Sequence, residues 1–253
     1  MRVLVTRPAP QAAAWVARLR DEGIDAVALP LICIGPAADS EAVDQAWASL
    51  ATQRLVVFVS PNAAEQFMAA RPPGAVWPER AQAGSIGPGT TQALRRLGVP
   101  VERIVEPVAE SAQFDSEALW RQLNRDDWHG APVLIVRGDG GREWLADTLR
   151  EQGARVALLA AYRRNAPEPD AAGRALLQAA LGAPRSHLWF FSSSEAIANL
   201  AALAGDAADW SRARALATHP RIAARAQQLG LADVTLTRPT LAAVSACIQS
   251  MPP

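Results

Sequence analysis

Residues Leu55–Met68 read LVVFVSPNAAEQFM, and this stretch decides the fold. Leu55–Val59 is an unbroken apolar run rich in β-branched residues, as a strand buried on both faces of a parallel sheet should be. Ser60 suits a helix cap, and Pro61 suits the first helical turn, where its missing N–H is not needed. Residues Leu188–Leu203, LWFFSSSEAIANLAAL, repeat the pattern of apolar run, serine corner and helix. We call this stretch and its echo module B.

Two further modules flank it. Module A is Arg2–Ile34, a strand, loop, helix and strand, echoed by Pro132–Tyr162. Trp15, Val16 and Leu19 share one helical face in the first copy, and Gly23 stops the helix; Trp144, Leu145, Leu149 and Gly153 repeat this in the second. Module C is Gln82–Val105, echoed by Arg214–Thr235: a short strand, a proline corner (Gly87-Pro88 or His219-Pro220), a helix, Leu-Gly and another strand. A helix is expected after each C, over Ser111–Leu123 and Leu241–Gln249. The order A, B, C, helix occurs twice. Every module places a strand before a helix, which predicts an α/β fold of parallel sheets with helices on both faces.

Gly35–Ser40 and Asn165–Gly173 are rich in Pro, Ala and Asp and read as linkers. Cutting there predicts two similar domains: residues 1–36 with 168–253 as a discontinuous domain, and 37–167, including the linker strands, as a continuous one. A cut at Asn124–Pro132 would give contiguous halves instead, but that join is less linker-like.

The composition narrows the function. Acidic and basic residues balance at 25 each in a chain of 253, so no global basic field points to nucleic acid. Two cysteines without metal-ligand spacing argue against a disulfide scaffold and suit a reducing cytoplasm. A strand at Arg2–Thr6 leaves no room for a secretory signal, and no apolar run is long enough to cross a bilayer. No heptad or exposed apolar stripe advertises a dimer, so a monomer is expected.

Parallel sheets hold ligands at the C-terminal ends of their strands. The A strands end in Thr6-Arg7-Pro8 and in Arg137–Arg142, the B strands in Ser60-Pro61-Asn62 and Ser192–Ser194, and the C strands in Gly87–Thr90 and His219-Pro220-Arg221. Hydroxyls, arginines and helix N-termini together bind anions. GxxxxGK[ST], GxGxxG and GxSxG are absent, as is a plausible metal-ligand cluster, so neither nucleotide, metal nor covalent nucleophile is expected. Each corner also has a structural reading. Ser60 and Ser192–Ser194 serve as helix caps, Gly87 and Gly89 as tight-turn residues, and Arg142 as a solvated helix residue. Tyr162, the only tyrosine, reads by itself as a packing residue at a strand end, and His219 as a cap.

Taken in order, VLVTRP, FVSPNAAE, SIGPGTTQAL, VRGDGGREWLADTLREQGARV with the following Tyr162, and FFSSSEAI resemble the uroporphyrinogen-III synthase family. The resemblance covers nearly the whole chain. It implies two similar parallel-sheet α/β domains joined by a two-segment linker, with the active site in the interdomain cleft. It implies a lyase of porphyrin and heme biosynthesis that needs no cofactor and closes linear hydroxymethylbilane to uroporphyrinogen III. The last pyrrole ring, D, is inverted through a spiro intermediate. The substrate carries eight carboxylates, which suits the corner inventory. It also closes spontaneously to the type I isomer, so the enzyme must out-compete an easy reaction. A hundredfold advantage needs about 2.7 kcal/mol of differential barrier.

Residue by residue, the resemblance makes Tyr162 the catalytic group that assists departure of the hydroxyl. It makes Ser60, Asn62, Thr90 and Ser192 substrate-corner residues; the strand-end corners add Gly87 and Gly138, with Arg7, Arg137 and Arg142 as candidate carboxylate contacts. In the second C module His219-Pro220-Arg221-Ile222 departs from the glycine, proline and threonine pattern of Gly87–Thr90, so the hydroxyls are lost there. The resemblance leaves open a transient contact with hydroxymethylbilane synthase, which makes the unstable substrate. The alternative reading is a non-catalytic two-domain binder or regulator for a polycarboxylate on the same scaffold.

Overall fold

The computed structural model describes residues 1–251. The chain begins β1 (Arg2–Val5), α1 (Ala9–Asp21), β2 (Ala26–Ala28), β3 (Cys33–Pro36) and α2 (Ser40–Ala48). It continues β4 (Leu55–Phe58), α3 (Pro61–Ala69), β5 (Gln82–Ser85), α4 (Pro88–Arg96), β6 (Ile104–Val105) and α5 (Ser116–Leu123). Then come β7 (Pro132–Gly138), α6 (Trp144–Glu151), β8 (Arg155–Asn165), α7 (Ala171–Gly182), β9 (His187–Phe191) and α8 (Ser194–Ala204). The last elements are β10 (Arg214–Ala217), α9 (Pro220–Leu229), β11 (Asp233–Leu236) and α10 (Leu241–Ser250).

Two sheets form. One has the order β11-β10-β9-β1-β2, the other β3-β8-β7-β4-β5-β6. The first is parallel at every pairing, and so is the second from β8 to β6. Each A module pairs with the B module of the other repeat, β1 with β9 and β7 with β4, and B in turn pairs with C. The chain accordingly divides into a split unit, Met1–Cys33 with the chain from Asn165 onward, and a continuous unit, Ile34–Arg164. Expectation divided the chain into 1–36 with 168–253 and a continuous 37–167, so both boundaries lie three residues earlier in the structure. At the first boundary the reason is that β3 and β8 are neighbours in one sheet, which draws Ile34–Pro36 into the continuous unit.

Period-two alternation sorts the side chains of the continuous unit. Val56 and Phe58 of β4 face α3 and α4 and pack with Ala64, Phe67 and Leu94. Leu55 and Val57 face the other way, onto Leu119 and Leu123 of α5 and Leu145 and Leu149 of α6. In the split unit, Val3, Val5, Leu188 and Phe190 pack on Val16 and Leu19 of α1 and Val244 of α10. On the opposite face the Trp189 and Phe191 rings stack with centroids 6.1 Å apart. Each large apolar side chain so buried contributes about 1.5–3 kcal/mol.

Three helical expectations change. The helix expected over Ser111–Leu123 begins only at Ser116, because Asp115 caps it by accepting from the Ala118 N–H at 2.9 Å. Helices α2 and α7 begin inside the stretches read as linkers. Each opens on an aspartate cap: Asp39 accepts from Ala42 N–H at 3.0 Å and Asp170 from Gly173 N–H at 2.7 Å.

Candidate functional site

The continuous unit builds its site around Ser60 and Tyr162. Ser60 lies in extended backbone at the head of α3, and its Oγ accepts from the Ala63 N–H at 3.1 Å. Tyr162 reaches it from β8. Strand β8 pairs with β7 in regular register from Pro132↔Arg155 to Arg137↔Ala160, and then slips, so that Gly138 lies opposite Tyr162. Ala161 is the unpaired residue of this bulge. Leu159 and Ala161 already point to the α3 side of the sheet, and strict alternation would send Tyr162 to the other side. The bulge instead leaves Tyr162 in the same core cluster as Ala161. The ring is 4% exposed, and its hydroxyl lies 3.0 Å from Ser60 Oγ. The Asp139 N–H donates to the Tyr162 carbonyl at 3.1 Å. Gly138 lines the ring: a Cβ there would lie 3.0 Å from Tyr162 Cζ and 3.3 Å from its hydroxyl oxygen.

The module C corner stands beside this pair. Gly87 precedes α4 in fully extended backbone, and its carbonyl accepts from the Thr90 and Thr91 N–H groups at 3.0 and 3.1 Å. A Cβ on Gly89 would lie 3.4 Å from Pro61 Cγ, so the first turns of α3 and α4 are adjacent. Asn62 is in the first turn of α3, and Thr90, in the first turn of α4, is buried. Ser60, Asn62, Gly87, Thr90, Gly138 and Tyr162 thus gather at one end of one sheet. Two neighbouring helix N-termini there offer partial positive charge to an anion.

Arg137, at the end of β7, and Arg142, in the loop after it, hold protein carboxylates. Arg137 is buried; it donates to the Gly141 carbonyl at 2.7 Å and to Glu143 Oε1 at 3.3 Å, which closes its own loop. Arg142 is exposed and forks onto both carboxylate oxygens of Glu117 in α5, with one bond of 3.3 Å. The Arg142–Glu117 pair is more than a third exposed on both sides, and such pairs are worth about 0–1 kcal/mol, whereas in the Arg137–Glu143 pair only the glutamate is exposed.

The split unit has its own corner. Arg7 Nε donates to Ser192 Oγ at 3.1 Å, and its guanidinium lies 5.0 Å from the centre of the Trp15 ring. Thr6 Oγ1 donates to the Phe190 carbonyl at 2.7 Å and ties the ends of β1 and β9 together. Ser193 caps α8 through the Glu195 N–H at 3.2 Å. His219 caps α9, its Nδ1 accepting from the Arg221 N–H at 3.1 Å, and Arg221 is exposed.

One supporting network has no sequence signal. Thr91 Oγ1 lies 2.6 Å from Glu106 Oε2 and 2.9 Å from Ser85 Oγ, while Ser85 donates to the Gly87 carbonyl at 2.9 Å. Thr91 therefore shapes the Gly87 corner, whereas its neighbour Thr90 is held there by its backbone N–H alone in the bonds above. Glu106 follows β6, 15 residues after Thr91, so nothing local announces it. Among the described residues no group of three His, Cys, Asp or Glu side chains converges, and no helix is long and apolar enough to cross a membrane.

The family model described as uroporphyrinogen-III synthase HemD matches residues 13–246. The chain belongs to the uroporphyrinogen-III synthase family. It is 32% identical over 182 residues to the uroporphyrinogen-III synthase of Salmonella typhimurium, covering 70% of each chain. It is 31% identical over 223 residues to that of Synechococcus elongatus, covering 83% of this chain and 77% of the relative. The fold matches a mutant uroporphyrinogen III synthase of Thermus thermophilus, with a TM-score of 0.56 at 17% identity over 98% of this chain and 96% of that one. It matches the Helicobacter pylori uroporphyrinogen-III synthetase with a TM-score of 0.58 at 14% identity over 99% of both. At those identities the structural matches show the α/β fold, and family membership rests on the sequence matches.

Proposed function

We propose that this protein converts hydroxymethylbilane to uroporphyrinogen III, with ring D inverted through a spiro intermediate and Tyr162 as the general acid. The single observation that carries the reading is the lone tyrosine turned by a bulge toward the paired N-termini of α3 and α4. In this reading the phenol gives its proton to the departing hydroxyl, which leaves as water. The pyrrole nitrogen's electron pair forms the exocyclic double bond of the azafulvene cation. The substituted carbon of ring D attacks it, and fragmentation and reclosure follow. A proton released on rearomatisation returns to the phenolate.

The other corner groups orient the substrate's carboxylates. Asn62, Gly87 and Thr90 present the helix N-termini, and Arg142 exchanges Glu117 for a substrate carboxylate. Arg137 does the same with Glu143 while keeping its bond to Gly141. Arg7 and Ser192 form the corresponding corner of the split unit. Positioning and one proton donor are adequate for the few kcal/mol that separate the type III from the type I outcome. The same reading has the enzyme act as a monomer in the cytoplasm without a cofactor; both cysteines are free, as a reducing compartment leaves them.

The test supplies freshly generated hydroxymethylbilane, oxidises the products and separates type I from type III porphyrin. Type III is expected to predominate. Type I alone, from folded protein, overturns the proposal. Tyr162→Phe is expected to lower type III formation about a hundredfold, the scale of general acid catalysis.

A further inference from the structure

Tyr162 is held by Ser60 at its hydroxyl and by Gly138 against its ring. Ser60 Oγ has one proton and two lone pairs. One lone pair is occupied by the Ala63 N–H at 3.1 Å. The Tyr162 hydroxyl is 3.0 Å away, and either oxygen can donate. If Tyr162 donated, its only proton would be spent on Ser60. If Ser60 donates, the phenol proton is left for another acceptor. The phenolate that forms on proton transfer then keeps a hydrogen bond from a hydroxyl that itself sits at the positive end of α3. Gly138 acts through space. The bulge places it opposite Tyr162, and any Cβ there would press within 3.0 to 3.3 Å of the ring's far edge and hydroxyl. The ring would have to give by a few tenths of an ångström, which shifts the hydroxyl against Ser60.

We propose that Ser60 and Gly138 are positioning residues for Tyr162: Ser60 donates to the phenol oxygen, and Gly138 with the Ala161 bulge keeps the slot that aims the ring. The inference rests on Tyr162 being the general acid and adds how its proton is kept available. It also reassigns both residues, which the sequence reading places among substrate contacts.

The test uses the full chain and two readouts. In the first, the initial rate of type III formation is measured for Ser60→Ala and Gly138→Ala, alone and combined with Tyr162→Phe. Losing a hydrogen bond to a charged group predicts about a tenfold fall in kcat for Ser60→Ala, with KM little changed. Neither substitution is expected to slow the Tyr162→Phe enzyme further. Losses that multiply in the double variants overturn the proposal, because Ser60 or Gly138 then acts on the substrate independently of Tyr162. Ser60→Thr, which keeps both the hydroxyl and the helix cap, is expected to restore most of the rate; Gly138→Ala leaves the cap untouched altogether.

The second readout does not depend on activity. Tyr162 is the only tyrosine, so the tyrosine doublet of the Raman spectrum reports this phenol alone. The wild-type doublet is expected to show an accepting phenol oxygen, and Ser60→Ala and Gly138→Ala to change it in the same direction. A doublet that neither substitution moves overturns the positioning role. A wild-type protein that makes only type I porphyrin but shows the expected doublet changes would instead overturn the proposed reaction and leave the Ser60–Tyr162 geometry standing.

Discussion

Gly153 has φ of 85°, and a Cβ there would lie 2.9 Å from Nδ1 of His129. Both the backbone and the space demand glycine at this helix stop. Gly153→Ala is expected to destabilise the protein by about 1–3 kcal/mol, read as a lower denaturant midpoint with unchanged slope. The two cysteines should separate in a thiol-labelling time course. Cys33 is exposed, whereas Cys247 is half-buried and its thiol is pushed up by burial. Cys33 is expected to be alkylated first, with mass mapping to assign the site; equal rates would contradict the burial. At this scale the residue types at the strand ends were readable. Their partners were not: Arg7 meets Ser192 across 185 positions, and Arg142 meets Glu117 on another helix. No local spacing encodes such contacts.

Elements were legible where a period repeats. The apolar runs of β4 and β9 and the stripes of α1 and α6 are strong local signals, and all four elements form where expected. Helices α2 and α7 were hidden because Pro, Ala and Asp ahead of them read as linker, although the aspartates are their caps. Asp170→Ala is expected to cost about 1 kcal/mol and to raise amide exchange in the first turn of α7 before the rest of the chain. The bulge in β8 is the opposite case. AAY carries no glycine or turn signal, yet the slip there decides which face receives Tyr162. It follows from pairing with β7, where Gly138 alone leaves room for the ring.

Two units with separate cores predict separable unfolding. Phe58 is fully buried in the continuous unit, and Phe58→Ala is expected to cost about 3–5 kcal/mol there. Calorimetry should show one component shifted down and a second, from the split unit, unmoved; a single transition shifting as a whole would mean the units unfold together. If the substrate is the octacarboxylate proposed, its capture also depends on ionic strength. Raising salt from low to physiological shortens the Debye length to about 8 Å, so KM is expected to rise while the type III fraction of the product holds.

The sequence by itself determined the strand–helix modules, their double occurrence and the strand ends where hydroxyls, arginines and helix N-termini collect. Those features depend on residues a few positions apart, within reach of hydrophobic period and capping chemistry. The family was legible from the ordered motifs, and the sequence comparisons show it. The linkers already implied that each A module joins the other repeat's B and C, and long-range strand pairing brings this about; only the tertiary structure decided that Arg137 turns into its own loop and that Tyr162 faces Ser60. Those outcomes depend on long-range strand pairing and on a one-residue slip in register, and the free energy of both lies in contacts between segments far apart in the chain.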